Sequence, residues 1–83
     1  MITPKQAMEA LGLTGTGDKD TLTINLEPGQ QVTLRRADVP SWPDGKELRH
    51  STVVIGGIVF QVSYAMKIMN VAIDYFAMMA AGV

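Results

Sequence analysis

The chain carries a single imidazole, His50, and no thiol, so covalent chemistry would have to couple His50 to a hydroxyl. Residues 51–55 and 58–62 read as short strands around Gly56-Gly57, a glycine pair that supplies the positive φ of a two-residue hairpin turn. Pairing across that turn sets His50 beside Ser63, with Thr52 and Gln61 next along the same face. Such a quartet would suit a His/Ser hydrolase, with Ser63 as nucleophile and His50 as its base. It lacks a glycine-framed nucleophile turn, oxyanion donors and a carboxylate behind the imidazole. A solvated hairpin end accounts for these residues more simply, so no catalytic residue and no enzyme is expected.

Acid–base or metal chemistry would fall to Asp18 and Asp20, or to Asp38, Asp44 and Glu47. Neither group sits against the kind of apolar wall that raises a carboxyl pKa. Asp18-Lys19-Asp20 lacks the further ligands and glycine spacing of a calcium loop, and one His without Cys leaves no zinc set. The glycines of Thr14-Gly15-Thr16-Gly17-Asp18 resemble a phosphate loop only in composition, because the preceding strand, following helix and lysine are missing. They read instead as a flexible turn, and no metal or cofactor is expected.

Binding chemistry concentrates around the central loop. Arg35, Arg36, Lys46, Arg49 and His50 interleave there with Asp38, Asp44 and Glu47, and the only tryptophan, Trp42, lies between two prolines. Arg35, Arg36, Trp42, Arg49 and His50 are the candidate ligand contacts. Arginines gathered from several subunits would recognise a small phosphate-containing ligand by bidentate hydrogen bonds. Trp42 would anchor a protein partner, or fold back as a plug over the sheet, which its size favours. Seven basic residues against eight acidic ones give a net charge of −1, which argues against duplex nucleic acid and against a nucleic-acid mimic.

These residues need a scaffold, and the periodicities give one of α+β class. Thr3-Pro4-Lys5-Gln6 has the spacing of a capping box with proline in the first turn, so a short helix is expected over 3–12, with Ala7, Met8, Ala10 and Leu11 buried. Residues 21–26 and 31–35 alternate polar and apolar around Glu27-Pro28-Gly29-Gln30 and form a first hairpin with a type II turn. The Trp-containing segment 36–49 breaks the period and is an ordered loop. Residues 50–63 form the second hairpin, and the two hairpins together make one antiparallel sheet of about four strands.

A long apolar helix is expected over 64–81, capped by Ser63 and stopped by Gly82. Met66, Met69, Ile73, Phe76, Ala80 and Val83 recur at steps of three and four, the spacing of a coiled-coil seam. Ala65, Ile68, Ala72, Tyr75 and Met79 make a second stripe. Two stripes call for two partners, so one covers the chain's own sheet and the other meets an equivalent helix. Lys67 and Asp74 make a membrane span costly, and residues 1–20 hold no apolar run of signal length, which favours a cytoplasmic setting. An 83-residue single domain that is 47% hydrophobic, with no cysteine, gains from burying surface against copies of itself. The functional expectation is a non-enzymatic homo-oligomeric binding module, of a size that suits an accessory protein of a virus or mobile element inhibiting a host factor. The alternative is a structural subunit of a virion or appendage.

Overall fold

The computed structural model describes residues 2–26, 29–42 and 52–82. Helix α1 (Pro4–Ala10) starts as its sequence dictates: the Thr3 hydroxyl accepts from the Gln6 amide at 3.1 Å, and the Gln6 side chain accepts from the Thr3 amide at 2.9 Å. This reciprocal pair satisfies donors that a helix start leaves free. Ala7 and Met8 are buried, whereas Ala10 is exposed and Leu11 is only partly covered.

Three strands follow, β1 (Gly15–Gly17), β2 (Thr21–Leu26) and β3 (Gln30–Arg35), in the order β1-β2-β3 and all antiparallel. Strand β1 corrects the flexible turn expected there. Two glycines in three residues give almost no strand signal, yet Gly15 pairs with Ile24 and Gly17 with Leu22. In β2 and β3 the alternation holds, with Leu22, Ile24, Val32 and Leu34 buried on one face. On the other face Thr23 and Thr33 share a hydrogen bond of 3.0 Å, and Gln31 donates to Asn25 at 2.8 Å. At the connecting turn Gly29 has φ +83° and its amide donates to the Leu26 carbonyl at 3.2 Å, which puts it at the fourth place of a turn over 26–29 and not at the expected third place of one over 27–30; Glu27 and Pro28 lie outside the described residues.

The segment Arg36–Ser41 is a 3₁₀ helix. Strands β4 (Thr52–Ile55) and β5 (Ile58–Gln61) form a separate two-stranded sheet, so the single sheet of about four strands is corrected to a three-stranded and a two-stranded one. The register is the expected one, Ile55 with Ile58 and Val53 with Phe60. The hairpins do not merge, because the turn of the second lies against β3. A Cβ on Gly56 would stand 2.9 Å from the Thr33 carbonyl oxygen and 3.2 Å from the Val32 side chain.

Helix α2 (Val62–Ala81) begins one residue after β5 ends, with Gln61 as its N-cap and no capping side chain. Ser63, the expected cap, is therefore inside the helix, two positions beyond the actual one. Gly82 does end the helix, but at φ −82°, outside the left-handed region. It is a glycine for space, since a Cβ there would run into the Ile2 side chain. Ala65, Ile68, Met69, Ala72, Tyr75, Phe76 and Met79 of α2 are buried against both sheets and α1 in one core. The two sequence stripes thus adjoin, and Met69 and Phe76 turn into the chain's own interior together with the second stripe.

Candidate interaction surfaces

The two described basic residues of the central segment, Arg35 and Arg36, diverge. Arg35 Nε donates to Asp38 at 3.3 Å. Arg36 makes its ion pair with Asp20, at 3.0 Å from both Nε and Nη2. Arg35 ends β3 and Arg36 opens the 3₁₀ helix, so the backbone changes direction between them and each guanidinium meets a different carboxylate. All four side chains are about half exposed or more, where such pairs contribute little to stability. Trp42 is partly buried and packs against the core, in line with the plug. It borders a cleft of about 300 Å³ shared with Asp38, Ser41, Val53 and Met69. Arg49 and His50 lie outside the described residues.

The hydrolase quartet does not assemble as a strand pair. Thr52 and Gln61 are cross-strand neighbours, but the strand ends at Gln61 and Ser63 belongs to α2, so the pairing that would bring Ser63 to His50 stops short. Among the described residues no group of His, Cys, Asp or Glu side chains converges as a metal site. No helix there is long and apolar enough to cross a membrane.

The helical seam divides between core and surface. Met69 and Phe76 are buried, Met66 is partly buried, and Ile73 and Ala80 are exposed; Val83 lies outside the described residues. At 3.6 residues per turn, Met66, Ile73 and Ala80 fall on one flank of α2 and Tyr64 on the other. The more exposed apolar pair is on the hairpin. Val54 and Val59 face each other across β4 and β5 and are 65% and 62% exposed, against 41% for Ile73 and 45% for Tyr64. The alternation of the hairpin puts both valines on the same face as Thr52 and Gln61. What it could not tell is how far they stay exposed, and none of the described residues covers them.

A contact that spacing alone does not reveal ties the far end of α2 to the sheet. The Tyr75 hydroxyl donates to the Asp18 carbonyl at 2.7 Å, and Tyr75 has no exposed surface. Asp18 also organises its own turn, its Oδ1 accepting from the amides of Asp20 and Thr21, both at 2.8 Å. These two amide donors hold the Asp18 carboxyl below its ordinary pKa. A carboxyl depressed in the folded state stabilises the fold at neutral pH, and that contribution disappears as pH falls through the folded pKa. Asp18→Asn retains an acceptor oxygen without the titration, so its melting temperature should fall less steeply than that of the wild type between neutral and acid pH. Identical acid slopes for the two proteins, followed by circular dichroism, would remove Asp18 from the acid response.

A groove of about 640 Å³ runs between α1 and β1, lined by Lys5, Met8 and Glu9 on the helix and by Leu13 and residues 14–17 on the other side. Comparisons of the chain with protein-family models, curated proteins and solved structures find no match.

Proposed function

We propose that this chain is a small non-enzymatic binding module that works as a homo-oligomer, with the outer face of the β4–β5 hairpin as its self-contact. The supporting observation is the cross-strand pair Val54 and Val59, two β-branched apolar side chains opposite each other and both more than 60% exposed. A flat apolar pair on a two-stranded sheet stacks well against its own copy around a two-fold axis, where the same patch serves both partners. The net charge of −1 leaves little repulsion between copies. The exposed flank of α2, with Ile73, Ala80 and the half-covered Met66, adds apolar surface of the same kind. Met69 and Phe76 do not take part, since they complete the internal core.

A protein contact is favoured over a small anionic ligand because Arg35 and Arg36 each already hold a carboxylate. Size-exclusion chromatography with light scattering tests the proposal. The wild type should elute well above the chain mass of 9.0 kDa at micromolar concentration. Burial of a valine side chain is worth about 1.5–3 kcal/mol, so the double variant Val54→Lys/Val59→Lys should associate at least about a hundredfold more weakly with an unchanged circular dichroism spectrum. A wild type that stays monomeric, or a double variant that associates as before, overturns it.

A further inference from the structure

The two edges of the three-stranded sheet differ. The β3 edge is met by the hairpin turn at Gly56, whereas among the described residues β1 has β2 as its one strand neighbour. The hydrogen-bond phase of β1 follows from its ends. Asn25 donates to the Thr14 carbonyl at 2.8 Å, and Asp18 donates to the Thr21 carbonyl at 2.9 Å. In an antiparallel ladder bonded and non-bonded pairs alternate, so Thr16 and Thr23 are a bonded pair, while Gly15 and Gly17 sit in non-bonded pairs. The N–H and C=O of Gly15 and of Gly17 therefore point away from β2, toward the open side. An edge of this kind is a template for another strand.

The groove lies along the same segment. Helix α1 forms its opposite wall, with the buried Met8 at its base and Lys5 and Glu9 on its rim. We propose that this groove accepts an extended peptide segment of another protein, which adds antiparallel to β1 through Gly15 and Gly17 and is apolar at alternate residues. Main-chain hydrogen bonds then give affinity and alternate side chains give selectivity. Apolar or aromatic cover over edge glycines is favourable, and the peptide residues opposite Gly15 and Gly17 would provide it. Those residues would rest on Met8 and Leu13. A second copy fits this place poorly: its own β1 would arrive with its own α1 lining the edge, and two helices would compete for the junction. A lone strand carries no such helix. The site is independent of the hairpin valines and survives if self-association does not.

The experiment titrates ¹⁵N-labelled protein, both wild type and Val54→Lys/Val59→Lys, with a blocked synthetic peptide alternating threonine and phenylalanine. In both proteins the Gly15 and Gly17 amides should shift and exchange with solvent at least tenfold more slowly, while the Thr16 amide, already paired to β2, moves little. N-methylating the peptide at the residues that face β1 should abolish the effect. Three results overturn the assignment. They are glycine amides unmoved at millimolar peptide, an N-methylated peptide that acts equally well, and amides already protected in the free protein that lose protection on dilution, which would give the edge to a second copy.

Discussion

Tyr75→Ala should lower the melting temperature by at least about 12 °C, and Tyr75→Phe by only a few degrees. Tyr75 is among the largest side chains with no exposed surface, and its ring meets Phe76 edge-on with centroids 5.3 Å apart. Truncating a buried aromatic ring costs about 3–5 kcal/mol. A domain of this length holds roughly 4–12 kcal/mol in total, and 1 kcal/mol moves the midpoint by about 4–8 °C at this size. Tyr75→Phe keeps the ring and removes the bond to the Asp18 carbonyl, a net change of about 1 kcal/mol because Asp18 is open to water.

The phenylalanine variant also isolates an alkaline response. Burial, with a smaller contribution from the Asp18 charge, raises the Tyr75 pKa. The neutral phenol is thus favoured by the fold: its contribution is complete below the unfolded pKa of about 10 and is lost as pH rises through the folded one. Thermal melts should show the wild type losing stability at alkaline pH faster than Tyr75→Phe. A melting temperature within about 4 °C of wild type for Tyr75→Ala, less than 1 kcal/mol, would show that this ring does not hold the core.

The second large effect is expected at Gly15→Ala. Gly15 has φ +142°, which L residues rarely adopt, and an added Cβ would collide with the Thr23 carbonyl oxygen on the neighbouring strand. Neither atom belongs to a flexible side chain, so β1 itself must move. Backbone strain of this kind costs about 1–3 kcal/mol, and displacing β1 also releases the Asn25 amide from Thr14. Gly12→Ala is the matched control, because Gly12 has φ +68° with nothing near its Cβ position. Gly15→Ala should melt several degrees below Gly12→Ala and show faster hydrogen exchange at Asn25. Equal melting temperatures and unchanged exchange would mean that β1 tolerates a side chain there.

The strongly patterned parts of this fold could be read from sequence, and the parts that depend on distant neighbours could not. Thr3 and Gln6 announce α1 because a capping box is a local device, and Gly56-Gly57 fixes the register of β4 and β5 because a two-residue turn leaves one pairing. Strand β1 escaped because glycine carries no alternation. Its role is set by Tyr75, whose hydroxyl occupies the space that a Cβ on Gly17 would need. Periodicity gave two stripes on α2 but not their depth. The flanking hairpin and sheet wrap far enough around the helix to claim Met69 and Phe76 as well, leaving the flank of Ile73 uncovered. Arg35 and Arg36 illustrate the same limit at the candidate ligand site. Neighbours in sequence, they are pulled apart by Asp38 and Asp20, and only the second of those ion pairs spans a long stretch of chain.

Strand β5 passes into α2 with no slack between them, Gln61 closing one element and Val62 opening the next. Phe60 and Tyr64 straddle that joint with ring centroids 5.6 Å apart, bracing it from the side. Hairpin and helix therefore behave as one lever. Force applied at the Gly56-Gly57 tip reaches the first turn of α2 without a compliant segment to absorb it, and extra residues inserted after Gln61 would uncouple the two arms.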